Sequence, residues 1–559
     1  MINPNPPVKR SHNEELKEAH PMLAGTIAQT LADPSTDRFS EDDTQFMKFH
    51  GIYQQDDRDK RKVGKEFIFM VRGRIPGGVV PADQYLVFDK LAMDYANQTL
   101  RITSRQSFQF HGIAKGGLGK LMRGIHDALS STLAACGDVN RNVMAPSTPA
   151  TSPLVERVLE DARLLSTSLL PSTKAYHQIW VEGVQLNLEE EQQFEDPLYG
   201  KTYLPRKFKT AFAIPPLNDS DVFTNCLGFI AIEENGKLVG YNLLAGGGLG
   251  TSHGNKETFP RIADVIGFFT PEKIDTISKA VLTIHRDYGD RTNRKHARLK
   301  YVLEDKGVAW FRSEMEARLG YKLEEARPYQ FLKQGDLFGW HKQLDGNHFL
   351  GLYVEAGRIK DAGDYRLMSA LREIVGKYRC EVRLTPSQNL LLANVASGNV
   401  ADITAILASH GVPVENQATI LRRASMACPA LPTCGLALAE SERFLPDLMA
   451  RIEGLLGDLN LKDEEIIVRM TGCPNGCARP FMAEIGFVGK APGKYNIYLG
   501  GNQASTRLNR VFKESVKVDD ITKELRPVLE RFSTERAGAE RFGDWCDRVF
   551  LAAPAAAQN

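Results

Sequence analysis

Four cysteines stand in one clustered pattern: Cys428-x5-Cys434, a gap of 38 residues, then Cys473-Pro-Asn-Gly-Cys477. Thiolates are soft donors that suit iron–sulfur clusters and zinc, and a cubane cluster takes four of them. Gly472, Pro474 and Gly476 let the second loop turn tightly and bring backbone N–H groups toward sulfur, where such bonds help set a potential. Structural zinc sites usually separate paired ligands by two to four residues, which x5 fits poorly and x3 tolerably. Spacing therefore favours an iron–sulfur cluster, with zinc and buried free thiols as the alternatives. No C-x2-C occurs, so a thioredoxin-type motif is not expected. The other four cysteines, Cys136, Cys226, Cys380 and Cys546, stand alone and read as small buried hydrophobes.

A second set of residues is cationic: Arg72-Gly73-Arg74, Asn140-Arg141-Asn142, Lys207 with Lys209, and the run Arg291-Thr-Asn-Arg-Lys-His-Ala-Arg-Leu-Lys300. The plain reading of such a run is a solvated face. Between Arg101 and His111, period-2 alternation would put Arg101, Thr103, Arg105, Ser107, Gln109 and His111 on one strand face. Buried cations without an anion are costly. The set therefore calls for a large polycarboxylate cofactor and a small oxyanion substrate. The stretch Gly246-Gly247-Gly248-Leu249-Gly250 lacks dinucleotide-binding spacing and reads as a structural turn. With no nicotinamide- or flavin-binding pattern in view, electrons are expected from a partner protein.

The elements that must position these residues form an α/β mixture. Strands are expected at 67–75 and 100–110, and helices at 82–96, 118–133, 154–170, 271–286, 364–377, 399–410, 439–455, 519–531 and 536–551. Residues 1–45 look like an irregular arm. An internal repeat runs through the chain. Gly73-Arg-Ile75 recurs as Gly357-Arg-Ile359. Arg101-Ile-Thr-Ser-Arg-Gln106 recurs as Arg383-Leu-Thr-Pro-Ser-Gln388, and Arg141-Asn-Val-Met-Ala145 as Arg423-Ala-Ser-Met-Ala427, both 282 residues on. Asn242-Leu-Leu-Ala-Gly-Gly247 echoes Asn496-Ile-Tyr-Leu-Gly-Gly501. The pattern is a duplicated module with pseudo-two-fold symmetry and a ligand between the halves, one half supplying thiolates and the other cations.

The 559 residues carry a net charge of +1 and 42% hydrophobic residues, an ordinary globular composition that argues against a general nucleic-acid binder. There is no run apolar and long enough to span a membrane and no secretory h-region. The expected location is the cytoplasm.

Taken together, these motifs resemble the sirohaem nitrite/sulfite reductase family, in its assimilatory sulfite reductase haemoprotein (beta) branch. The resemblance covers nearly the whole chain. It rests on Phe49-His-Gly-Ile-Tyr-Gln-Gln-Asp-Asp-Arg58, Arg101–Gly112, Asn140-Arg-Asn-Val143, Tyr203-Leu-Pro-Arg-Lys-Phe-Lys209, Cys428-x5-Cys434 and Thr471-Gly-Cys-Pro-Asn-Gly-Cys477. It implies an α+β fold of duplicated modules, ferredoxin-like plus sirohaem/[4Fe–4S] domains. The implied division is an arm at 1–50, a pseudo-symmetric ferredoxin-like domain from 51–135 and 340–412, a sirohaem and substrate domain at 136–339, and a [4Fe–4S] and sirohaem domain at 413–559.

The resemblance also implies residue roles. Cys428, Cys434, Cys473 and Cys477 would hold a [4Fe–4S] cluster, with Cys477 bridging to the sirohaem iron. Arg72, Arg141, Lys207 and Lys209 would bind the anion. Arg101, Arg105, Gln109, His111, Arg298 and Asn475 would contact the macrocycle or its carboxylates, although some bacterial relatives carry Lys where Arg298 stands. The implied reaction is six-electron reduction of sulfite to sulfide. The donor would be an NADPH-dependent flavoprotein (alpha) subunit, with ferredoxin as the alternative. Nitrite reductase is the nearest rival, but that branch typically has Asn in place of Lys209. A non-enzymatic electron carrier is the more distant one.

Overall fold

The computed structural model describes residues 9–149, 152–173, 179–181, 184–186, 194–415 and 417–550. Residues 1–8 of the expected arm and residue 551 of the last expected helix lie outside them. The rest of the arm is not irregular. It folds into α1 (His12–Ala19), α2 (Ile27–Ala32) and α3 (Glu41–Phe49). Ser40 caps α3 by accepting from the Asp43 N–H, and three acids fill its first turn. Polarity hides α1 from a periodicity reading, because the residues it buries are Glu14 and Lys17.

The first module runs β1 (Ile52–Asp56), β2 (Phe67–Arg72), β3 (Val79–Val80), α4 (Ala82–Tyr95), β4 (Leu100–Ile102), β5 (Phe108–Ile113) and α5 (Lys115–Asp127). In α4, Tyr85, Phe88, Leu91 and Ala92 form the buried stripe expected of a helix against a sheet. The expected strand at 100–110 is a hairpin: Arg101 pairs with Gln109 and Ile102 with Phe108. Gln106 (φ 52°) sits in the turn. The proposed single face is thereby broken, and Arg105 is carried away from Arg101. The helix expected at 118–133 begins earlier and stops at Asp127, before Leu129 enters left-handed backbone at φ 54°.

Next come α6 (Leu154–Ser168), the pair β6 (Ile179–Val181) and β7 (Val184–Leu186), and strands β8 (Thr210–Ala213), β9 (Leu227–Glu234), β10 (Lys237–Ala245) and β11 (Asp264–Phe269). They are followed by α7 (Ile274–Tyr288), α8 (Leu299–Lys306) and α9 (Val308–Leu319). The last two were not expected.

The second module repeats the first: β12 (Gly339–Lys342), β13 (His348–Leu352), β14 (Arg358–Ile359), the small pair β15 (Asp361–Ala362) and β16 (Tyr365–Arg366), α10 (Leu367–Tyr378), β17 (Glu381–Leu384), β18 (Leu390–Val395) and α11 (Val400–Ser409). The chain ends with α12 (Ile420–Arg423), β19 (Ser425–Ala427), α13 (Leu445–Asp458), β20 (Val468–Thr471), β21 (Ile485–Ala491), β22 (Lys494–Leu499), β23 (Arg510–Lys517), α14 (Ile521–Glu535) and α15 (Phe542–Trp545). The helix expected at 536–551 is only α15 and one wider turn, Cys546–Phe550.

The duplication is physical. The two ferredoxin-like sheets have orders β1-β2-β5-β4-β14 and β12-β13-β18-β17-β3. Each half thus lends a two-residue strand to the other half's sheet. Arg358 pairs with Arg101, and Val79 pairs with Arg383. This register matches Gly78-Val79-Val80, not Gly73-Arg74-Ile75, to Gly357-Arg358-Ile359, so that part of the sequence match was out of phase. Gly78 (φ 75°) and Gly357 (φ 76°) make the exchange sterically workable: a Cβ at Gly78 would lie 2.4 Å from Leu384 O, and one at Gly357 2.6 Å from Ile102 O. The other two sheets, β11-β10-β9-β8 and β19-β20-β21-β22-β23, also correspond. Asn242 opposes Ile230 and Asn496 opposes Val488, at matching rungs.

Candidate functional site

The four cysteines come from two places. Cys428 and Cys434 follow β19; Cys473 and Cys477 lie in the loop after β20, a strand parallel to β19. The pairing brings the two loops together. The Gly472 N–H points to Cys428 Sγ at 3.4 Å, and Asn475 Nδ2 to Cys473 Sγ at 3.5 Å. Met426, Ala430, Ala437 and Ala478 pack around Cys428 in a small apolar shell. Burial, followed by the charge of Cys477, pushes the Cys428 thiol up strongly and the Cys473 thiol up to about 11. Cys434 moves the same way for the same reasons. Thiols raised in this way, at Cys428, Cys434 and Cys473, need a cationic occupant to exist as thiolates. Cys428 and Cys473 are buried and Cys434 is intermediate, but Cys477 is exposed.

Several cations lie within electrostatic reach of that exposed thiol. Lys207 and Lys209 precede β8 and are aligned by the bridge between Asn140 and Phe208. Burial pushes both ammonium groups well below their ordinary range. Arg206, Arg298 and Arg141 add to the effect on Lys207, and Arg105 and Lys207 on Lys209, while Cys477 opposes it on each. Among the described residues, no hydrogen bond or ion pair occupies either ammonium. Arg141 donates Nε and Nη2 to Gly137 O at 3.2 and 3.1 Å. Arg72, at the end of β2, is also near Cys477. Burial works against its charge, but Cys136, Tyr53, Cys477 and Cys434 more than offset that. With its amide oxygen turned toward Arg72, Gln109 accepts from Nη2 at 2.6 Å and Nε at 3.3 Å.

The remaining expected residues divide. Arg105 donates to Asn225 Oδ1 at 2.8 Å and Asn142 O at 2.6 Å, yet its Nε is buried without a partner. Arg298 Nε and His111 Nδ1 are also unpartnered. Arg298 lies against Gly248, where a Cβ would stand 2.6 Å from its guanidinium, and Gly250 backs onto Asn475 O at 3.1 Å by the same measure. The glycine run is indeed structural, and it seats Arg298 beside the cysteine loop. Arg101 is different. Its Nε binds Glu442 Oε2 at 2.7 Å and its Nη2 binds Ala427 O at 2.8 Å. Burial alone would raise the Glu442 carboxyl, but Arg101 and Arg358 outweigh it and bring it down to about 2.

Several contributors are residues to which the sequence assigned no role in the site. Lys300 is fully buried, and its Nζ donates to Gly248 O and Gly250 O, both at 3.1 Å. Burial, then Arg298 and Lys207, lower it to about 6. Two of the isolated cysteines are more than filler: Cys136 Sγ receives Arg72 Nη1 at 3.1 Å, and Cys226 Sγ receives Arg298 Nη2 at 3.3 Å. The run at 291–300 is not a solvated face throughout. Arg298 and Lys300 are buried, and Arg294 pairs with buried Asp138 at 2.7 Å. Such partners lie far apart in sequence, so only folding joins them.

Comparison with known proteins identifies the family. The profile of the nitrite and sulphite reductase 4Fe-4S domain matches residues 160–323 and 420–551, more than half of the chain. The nitrite/sulfite reductase ferredoxin-like half domain matches 60–128 and 341–410. The chain belongs to the nitrite and sulfite reductase family. Members are oxidoreductases built around a sirohaem and a [4Fe–4S] cluster, and this chain has the family's duplicated α+β fold. It is 48% identical over 543 residues to the "Sulfite reductase [NADPH] hemoprotein beta-component" of Geobacillus kaustophilus, covering 96% of this chain and 95% of the relative. The protein of that name from Staphylococcus carnosus is 48% identical over 532 residues, covering 94% and 93%. Among solved structures, the Mycobacterium tuberculosis NirA protein superposes with a TM-score of 0.78 at 25% identity, over 96% of both chains.

The residues fit the family's cofactors. Four thiols from two adjoining loops, two of them buried and one exposed, suit a cluster. Buried guanidinium and imidazole nitrogens without partners suit a macrocycle edged with carboxylates. Among the described residues, no helix is long and apolar enough to cross a membrane.

Proposed function

We propose that the chain reduces sulfite to sulfide at a sirohaem that Cys477 links to a [4Fe–4S] cluster held by Cys428, Cys434, Cys473 and Cys477. The observation that carries this reading is the setting of Cys477: it is the exposed thiol of the four, and its charge acts on Lys207, Lys209 and Arg72. The names of relatives 48% identical over nearly the whole chain support sulfite as the substrate. When bound, the sirohaem and cluster supply an iron that takes the substrate sulfur and a short path for electrons.

The chain's own groups supply the rest. The guanidinium groups of Arg72 and Arg141 serve as anion clamps. Lys207 and Lys209 add charge where S–O bonds weaken. Their lowered ammonium pKa values make them better acids than free lysine, so each Nζ can hand a proton to a departing oxygen. The balance is six electrons to sulfur and six protons to three oxygens, which leave as water. Arg105, Gln109, His111, Arg298 and Asn475 would hold the macrocycle. Arg101 would act on it from behind, through the Glu442 network.

The electron donor in this reading is a separate flavoprotein fed by NADPH, in the cytoplasm, with ferredoxin as the alternative. It is supported by the "[NADPH] hemoprotein beta-component" names of the relatives. Steady-state turnover of the cofactor-loaded protein with reduced methyl viologen should give a higher kcat/KM for sulfite than for nitrite. The reverse order would overturn the assignment, and absence of a chlorin-like red absorption band after reconstitution would overturn the enzyme itself.

A further inference from the structure

The loop that carries Lys207 and Lys209 begins in a strained conformation. Tyr203 is fully buried and has φ 55°, a left-handed backbone that a bulky aromatic residue rarely adopts. Such strain persists where surrounding contacts over-determine it. Here the contacts come from the N-terminal arm. Tyr203 Oη donates to Pro21 O at 2.6 Å, and its ring packs on Phe49 with centroids 5.4 Å apart. In α1, Lys17 Nζ donates to Leu204 O at 2.9 Å and pairs with Glu14 at 2.5 Å. Glu14 also binds Arg291, whose Nη2 donates to Tyr203 O at 2.8 Å. Lys17 lies 3.8 Å from Asp138, the residue whose backbone carbonyl receives the Leu204 N–H at 3.1 Å. Glu14 is 1% exposed and Lys17 3%. A surface helix gains nothing obvious from burying a charged pair, and such a pair is weak evidence for stability as such.

We infer that α1, through Lys17 and Glu14, is a positioning element that holds the 203–209 loop so that Lys207 and Lys209 meet the anion. The inference rests on the anion-clamp reading of those lysines. Neither Lys17 nor Glu14 touches the substrate in this arrangement; both act through the loop backbone. Removing the Lys17 ammonium frees Leu204 O and leaves Glu14 only Arg291, and Asp138 only Arg294 and Arg206, as ion-pair partners among the described residues, so the strained turn can relax and the two lysines drift.

The test uses the cofactor-loaded protein as Lys17→Met, Lys17→Arg, Glu14→Gln and, as a control on the clamp, Lys207→Gln. In Lys17→Met, hydrogen exchange at 203–209 should speed up about tenfold or more, with the β-sheets unchanged. The kcat/KM for sulfite should fall about tenfold, through kcat as well as KM, because the two lysines both bind the anion and deliver protons, and Lys17→Arg should restore the exchange rate and kcat/KM. Unchanged exchange or unchanged kcat/KM in a folded Lys17→Met protein overturns the inference. If Lys17→Met fails to fold or to load its cofactors, Glu14→Gln must show the same local signature. Loss of protection throughout the chain in both variants would mean a general stabilising role and would also overturn it. A Lys207→Gln protein with unaltered kcat/KM for sulfite sinks the clamp reading itself, whatever Lys17→Met does to exchange.

Discussion

Lys209 combines an unoccupied ammonium with a setting that penalises its charge. An anion placed there would be bound strongly, because it relieves repulsion among Lys209, Arg105, Lys207 and Arg298. Asparagine keeps some hydrogen bonding but contributes no charge. We expect Lys209→Asn to lower kcat/KM for sulfite by about tenfold or more, roughly 1.4 kcal/mol of transition-state stabilisation, and to lose less with nitrite, as paired steady-state assays would show. Unchanged selectivity would remove Lys209 as the discriminating residue. At this scale the sequence was informative about types: thiols, guanidinium groups and lysines were all visible. Glu442 and Asp138 were not, since one carboxylate among many gives no sign of being buried.

At the scale of elements, the exchange of β3 and β14 between the two sheets depends on two glycines. Alanine at Gly357 would need φ near 76° and would put a Cβ 2.6 Å from Ile102 O. The left-handed backbone alone costs about 1–2 kcal/mol, and the clash is with main chain that cannot swing away. Gly357→Ala and Gly78→Ala should each destabilise by about 2–4 kcal/mol in denaturant unfolding. Gly64→Ala, with open space around it, should stay within about 0.5 kcal/mol. Equal costs at all three sites would contradict the strand exchange. Periodicity located α4, α6, α7, α10 and α11 to within a few residues, because each buries an apolar stripe. It could not separate the hairpin β4–β5 from one continuous strand, since alternation passes through a tight turn unchanged.

Over the whole molecule, the pseudo-dyad is occupied by charge. Asp221 (φ 46°) and Arg479 (φ 54°) each precede a short 3-10 turn at corresponding places in the two halves, and they pair at 2.6 Å. Beside them, burial and then Asp336 push the Asp219 carboxyl up to about 7. A carboxyl raised on folding contributes stability that is intact below its ordinary value of 3.8 and is lost as pH rises through about 7. Relative to Asp219→Asn, the natural protein should therefore lose about 1.4 kcal/mol per pH unit from about pH 4 to pH 7, then level off, with a total of roughly 4 kcal/mol. Melting temperatures of both proteins between pH 5 and 8 check this, and a constant difference would refute it.

The sequence by itself determined the chemistry available, four clustered thiols and an excess of cations in strand-like text, and it determined that the frame is duplicated. Those properties are local or periodic, so they survive in one dimension. Tertiary structure decided which groups meet. It left Cys477 exposed within electrostatic reach of Lys207 and Lys209, withdrew Arg101 into an ion pair with Glu442, and turned a polar arm into helices that hold the 203–209 loop. Each of these depends on contacts between residues tens to hundreds of positions apart, and on burial, which no short stretch of sequence encodes.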